Sequence, residues 1–203
     1  MSEHSLMIID WDDTLFPTSW VVQKDIDLHK KRIRDKYVIF FAELDNILCR
    51  FFMKLLNMSK VVIVTNASMK WIEVSSKIIP NTSNLINKYI EVISARDIHQ
   101  EQFPNNAHMW KEVVFRNLIN IHFSKSKNVQ NIISVGDADY EYLALIKLYK
   151  YQKFYPKRRL LKAIKFHQSP TYSSLIDQIE LLTKNLDKIV LHSNHLDLRF
   201  EEM

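Results

Sequence analysis

The chain has 203 residues, 47% of them apolar and 25% charged, enough for one domain with a full-sized core and ordinary for a globular protein. Its net charge of +5 and pI of about 9.1 suit an anionic partner, but the charge is spread along the chain, and its clusters at His29–Arg34 and Lys157–Lys162 read as solvated faces and loops rather than a nucleic-acid stripe. A lone cysteine, Cys49, excludes an internal disulfide, and a lone glycine, Gly136, excludes a glycine-rich phosphate loop and the dinucleotide-binding fingerprint.

Leu6–Ile9 is predicted as a first buried strand that ends at Asp10. Residues 16–35 read as irregular and increasingly charged. A helix is expected over Tyr37–Leu56, where Phe40, Phe41, Leu44, Ile47, Leu48, Phe51, Phe52 and Leu55 recur at helical spacing, with Cys49 inside it as a buried small residue. Val61–Val64 is a second strand closing on Thr65 and Asn66, and Ser68–Ile79 is a helix stopped near Pro80. Tyr89–Ser94 is a third strand. Asn106–Ile121 follows as a helix that Pro104 precedes and Asn105 or Asn106 caps. Ile132–Val135 is a fourth strand running into Gly136 and Asp137, and Tyr140–Lys150 is helical. Glycine kept only at 136 implies a backbone shape there that other residues resist.

Lys162–His167 is a fifth strand, and Ser169-Pro170 opens a long last helix with its apolar face at Leu175, Ile176, Ile179, Leu182, Leu186 and Ile189. The alternation predicts one domain over 1–203 in the α/β class: a three-layer Rossmann-like core with a mainly parallel central sheet, on which the C-terminal strand and helix (160–192) pack. No segment is long and apolar enough to span a membrane. The apolar start is too short for a signal peptide, so an intracellular, cytoplasmic location is expected.

The segment MIIDWDDTLFPT, Met7 to Thr18, carries the strongest chemical signal. Asp10 and Asp12, two apart on a strand, would point the same way and repel. Folding alone does not select that arrangement, and a bound cation relieves it. In a parallel sheet all carboxyl ends of the strands share one edge, where ligands bind. That edge would gather Asp10, Asp12 and Thr14 after the first strand and Thr65 after the second. It would also gather Lys111 from the helix after the third, and Asp137 after the fourth with Glu141 four residues on. Each has a blander role: Thr65 as a cap for the helix starting near Ser68, Lys111 as a solvated helix residue, Asp137 as a turn acid. Their joint order favours a site. His192 and His195 are spaced to share a helix face and read as a surface pair rather than a metal site.

Asp10-Trp11-Asp12-Asp13-Thr14, the apolar run Val61–Val64 ending in Thr65-Asn66, Lys111, and Ile133-Ser134-Val135-Gly136-Asp137 followed by acids occur in the order of the motifs of the haloacid dehalogenase (HAD) superfamily of phosphohydrolases. The chain resembles that superfamily over residues 7–145. The resemblance implies that Asp10 is a nucleophile forming an aspartyl phosphate, and that Asp12 is acid and then base. It implies that Thr65 hydrogen-bonds the transferring phosphoryl group, assisted by the backbone of Asn66, while Lys111 neutralises nucleophile and phosphate. Mg²⁺ is implied as cofactor, held by the Asp10 and Asp137 side chains and the Asp12 carbonyl. Glu141 is favoured as the second acid of the last motif, with Asp139 as the alternative. Thr14 is expected to support the loop.

Cap domains of the superfamily are inserted after the first or third strand. Residues 15–60 and 67–110 leave no room for a large cap domain, so the site is expected to be open and to suit a phosphoprotein or another bulky phosphorylated substrate. Trp11, Phe16 and Trp20 either wall its entrance or pack in the core. The alternatives are a non-catalytic phosphate- or metal-binding relative and a nucleic-acid 3′-end phosphatase, the latter motivated by the basic pI. Oligomeric state is not readable from the sequence.

Overall fold

The computed structural model describes residues 5–123, 130–151 and 159–200. Six strands, β1 (Ser5–Ile9), β2 (Lys60–Thr65), β3 (Glu91–Ser94), β4 (Gln130–Gly136), β5 (Arg159–Lys165) and β6 (Leu196–Arg199), form one sheet in the order β3-β2-β1-β4-β5-β6. Every neighbouring pair is parallel, so the expected mainly parallel sheet is wholly parallel.

Nine helices are described: α1 (Thr18–Gln23), α2 (Lys31–Lys36), α3 (Val38–Leu56), α4 (Met69–Ser76), α5 (Pro80–Tyr89), α6 (Ala95–His99), α7 (Ala107–Phe123), α8 (Asp139–Tyr151) and α9 (Tyr172–Leu191). Strand alternation divides the core. Met7, Ile9, Val61, Ile63, Ile133 and Val135 pack with α3, α4, α5 and α9 on one face. Leu6, Ile8, Val62, Val64 and Ile132 pack with α7 and α8 on the other. β1 is buried along its whole length, as a strand covered on both faces must be. Each such apolar side chain removed from water stabilises the fold by about 1.5–3 kcal/mol. Among the described residues no helix is long and apolar enough to cross a membrane.

Several local expectations are corrected. Residues 16–35 contain α1 and α2 rather than irregular chain only, although neither helix has a side-chain cap. Pro80 does not stop a helix near Ile79. Met69–Ser76 ends earlier, and Pro80 occupies the first turn of α5, where a missing N–H costs nothing. The third strand therefore begins at Glu91, and α6 and β6 are additional elements. Phe40 is 41% exposed although its spacing placed it on the apolar face, and Cys49 is half-buried beside the Thr82 hydroxyl, 3.6 Å away. Trp11, Phe16 and Trp20 are core residues, with Trp11 stacked on Phe16.

His192 caps the C-terminus of α9 and His195 lies beyond it, where its Nδ1 accepts the Leu161 amide; the two do not share a helix face. Part of the Lys157–Lys162 cluster lies outside the described residues. Lys162 itself is buried, its ammonium donating to the Ile189 and Val190 carbonyls at 2.7 and 2.9 Å, so it is not a solvated charge.

Candidate functional site

Asp10 stands one residue past β1, and its amide donates to the Val135 carbonyl of β4 at 2.9 Å. The registers Ile9↔Ile63 and Ile9↔Val135 bring it level with Val64 and Gly136, so the ends of β1, β2 and β4 present Asp10, Thr65 and Asp137 along one rim. A tight turn follows. The Leu15 and Phe16 amides both donate to the Trp11 carbonyl at 2.9 Å, and the Asp13 amide donates to Phe16 O at 2.8 Å. Asp13 takes a left-handed conformation, φ 53°, a place that Asp tolerates better than most residues. Its carboxylate is held by the Ser19 amide, 2.8 Å away, and the Ser19 hydroxyl.

Asp12 is held from two directions. The Thr18 hydroxyl and the Trp71 indole N–H both donate to Oδ1, the latter at 2.8 Å. Trp71 belongs to α4, 59 residues away, and nothing in local sequence marks it. Thr14 is buried and its hydroxyl touches no partner among the described residues, consistent with a place inside the turn.

Lys111 is 1% exposed. Its ammonium lies 2.7 Å from Asp10 Oδ1 and hydrogen-bonds Glu141 Oε1. The contact with Asp10 is an ion pair outside aligned hydrogen-bond geometry, since Asp10 Oδ1 has no hydrogen-bond partner among the described residues. Lys111 shares a helix face with Val114, Phe115 and Leu118, which pack on the sheet. A lysine on the apolar stripe at the N-terminal end of α7 is thus carried to the carboxyl edge, and the solvated-helix role is excluded.

Glu141, in the first turn of α8, is 3% exposed. Gly136 makes room for it: a Cβ there would come within 2.5 Å of the Glu141 Cγ and Cδ. The expected unusual backbone is not the reason for this glycine, because its φ is not positive. Between the two candidate acids the structure separates clearly. Glu141 enters the site, whereas Asp139 is exposed and pairs with Lys165.

Thr65 is fully buried and accepts the Ala67 amide at 2.9 Å. It does not cap α4, whose cap is Ser68. Asn66 donates to the Ala107 carbonyl at 3.4 Å and leaves its Oδ1 buried without a partner among the described residues.

The electrostatics follow from crowding. Burial, reinforced by the charges of Asp10 and Glu141, pushes the Asp137 carboxyl up to about 8. Burial and the charge of Asp10 push Asp12 up to about 6 against the pull of its two hydrogen bonds. Burial raises Asp13 and Glu141 as well, the latter despite Lys111. For Lys111, burial works against the ammonium, but Asp10 and Glu141 outweigh it and hold its pKa above the ordinary value.

Oxygen ligands outnumber cations at this edge, and Glu141 Oε2 is a buried oxygen without a hydrogen bond among the described residues. This donor set fits a hard divalent cation such as Mg²⁺. No three His, Cys, Asp or Glu side chains among the described residues already stand together as a ligand shell. Mg²⁺ needs fewer, since it keeps waters and takes one or two carboxylates plus substrate phosphate.

No protein-family model, no curated protein and no solved structure matches this chain.

Proposed function

We propose that the chain is a Mg²⁺-dependent phosphohydrolase of the HAD type, cleaving phosphomonoesters through an aspartyl phosphate. The observation that carries the reading is the buried Lys111 ammonium set against both Asp10 and Glu141 at the rim that also presents Thr65 and Asp137. Phosphoryl transfer needs what this lysine provides, fixed positive charge beside a carboxylate nucleophile, whereas the ammonium of the equally buried Lys162 meets two backbone carbonyls.

Asp10 attacks phosphorus and the P–O bond to the leaving alcohol breaks. Asp12 gives that oxygen its proton, then takes a proton from the water that hydrolyses the aspartyl phosphate, releasing inorganic phosphate. A carboxyl at about 6 suits both halves of that exchange. Since Thr18 and Trp71 hold Oδ1, Oδ2 carries the proton. Thr65 and the Asn66 backbone hold the phosphoryl oxygens, and Lys111 balances their charge. The Asp10 and Asp137 side chains and the Asp12 carbonyl, with Glu141 beside them, would hold Mg²⁺, which when bound would further neutralise the phosphoryl group.

Between β1 and α3 the chain has only α1 and α2, between β2 and β3 only α4 and α5, and between β3 and α7 only the short α6. An uncapped rim favours a phosphoprotein or another bulky phosphorylated substrate. A nucleic-acid end is less favoured, because Lys162 is buried and Lys30 and Lys165 are paired with Asp27 and Asp139.

The test is phosphate release from an aryl phosphate and a panel of phosphoesters and phosphopeptides, with and without Mg²⁺, by wild type and Asp10→Asn. Mg²⁺-dependent release by wild type that is lost in a folded Asp10→Asn variant is expected. Equal release by both proteins would refute the nucleophile, and no release by either would turn the reading toward phosphate binding without turnover.

A further inference from the structure

The sheet ends on β6, whose inner edge pairs with β5. The Phe200 amide donates to Lys165 O at 2.9 Å. Backbone groups of alternate residues in a strand point to opposite edges. Leu196 and Leu198 therefore turn their N–H and C=O inward with Phe200, while Asp197 and Arg199 turn theirs to the open edge. Side chains divide the same way. Leu196, Leu198 and Phe200 line a groove of about 910 Å³ against Leu181, Leu182 and Ile189 of α9, and in it Leu181 stays 51% and Leu198 38% exposed. On the opposite face Asp197 accepts the Tyr142 hydroxyl at 3.2 Å, Arg199 lies over the Tyr142 ring, 5.1 Å from its centre, and the two half-exposed charges pair with each other at 3.5 Å.

We propose that the open edge of β6 is a self-pairing surface, through which two copies of this chain join their six-stranded sheets into one. A two-fold axis perpendicular to the sheet keeps like faces together, so directly opposed residues must come from the same face. Three antiparallel registers of β6 on itself satisfy this within the strand's charged segment. Centred on Asp197, the register opposes Asp to Asp; centred on Arg199, it opposes Arg to Arg. Centred on Leu198, it opposes Asp197 to Arg199 of the second copy on both sides of the axis, each pair exchanging both N–H···O bonds, and sets Leu198 against Leu198 on the groove side. Opposite charges directly across an antiparallel pair stabilise it, and like charges there destabilise it. Edge charges ordinarily discourage pairing; here the exposed Asp197–Arg199 pair within each chain, worth little on its own, is exchanged for two directly opposed pairs across the axis, because the acid and base stand two residues apart.

Sedimentation of the full chain over a range of concentrations tests this. Wild type is expected to reach a dimer. Asp197→Arg and Arg199→Asp should each weaken it about tenfold or more, because each opposes like charges in the Leu198 register. The two single variants mixed together should dimerise with each other, since arginines of one then meet aspartates of the other. Both positions are exposed, and circular dichroism checks that the variants fold. A wild type that stays monomeric, whatever small molecule or foreign peptide its groove takes up, overturns the proposal, as does a dimer that both single variants leave unchanged.

Discussion

Asp12 shows how a single carboxyl is specialised by its neighbours. Thr18 and Trp71 fix one oxygen while burial and Asp10 raise the pKa to about 6, so orientation and proton affinity are set by different residues. Gly136 works by omission. Its missing Cβ is the space through which the Glu141 side chain reaches Lys111. Gly136→Ala is expected to destabilise the protein by about 1–3 kcal/mol through overpacking and to push Glu141 off Lys111. An unchanged urea midpoint would count against this account. Spacing favoured Glu141, four residues past Asp137, over Asp139, but did not show its burial against Lys111. Burial and the glycine gap put Glu141 against Lys111, while Asp139 stays exposed beside Lys165.

Among the elements, α5 depends on a carboxylate it does not contain. Asp45 of α3, 4% exposed, accepts the Asn81 amide at 3.1 Å, the Asn81 side-chain amide at 2.9 Å and the Thr82 amide at 2.7 Å. It satisfies first-turn N–H groups that Ile79, the residue in the cap position, cannot. Asp45→Ala strands those donors and should cost about 1–3 kcal/mol, read as a lower denaturation midpoint; no shift would show that water replaces the carboxylate. At the other end of the core, Lys162 fastens the last turn of α9 to β5 through two carbonyls. Burial pulls its pKa from 10.5 down to about 8. Between those values the unfolded chain binds a proton that the folded chain lacks, so this residue's contribution to stability rises with pH. Wild type should gain stability relative to Lys162→Met as pH climbs from about 8 to about 10.5, and parallel stability curves for the two proteins would contradict it. The Pro80 boundary was misread from sequence because a proline marks a helix start as readily as a stop. What decides is the acceptor waiting on α3.

Over the whole molecule, the proposed function predicts linkage between cation binding and folding. A cation bound only by the folded state stabilises it by about 2.7 kcal/mol at a hundredfold excess over its Kd. Mg²⁺ should therefore raise the melting temperature of wild type, and Asp137→Asn should lose most of that rise; an equal rise in both proteins would remove Asp137 from the ligand set. The fold class, the strand that each motif residue follows and the rim on which Asp10, Thr65 and Asp137 stand were all legible in the chain. Apolar runs ending in polar residues state where a buried parallel strand stops, and parallel strands carry their ends to one edge. Lys111 was legible as a candidate, but its burial was not. Hidden altogether were Trp71 on Asp12, Asp45 on α5, the short strand β6 and the burial of Lys162. Each of these is a contact between segments distant along the chain. Local periodicity records which face of an element is apolar, whereas the polar partner that meets a given side chain is chosen by the register and layering of the assembled sheet.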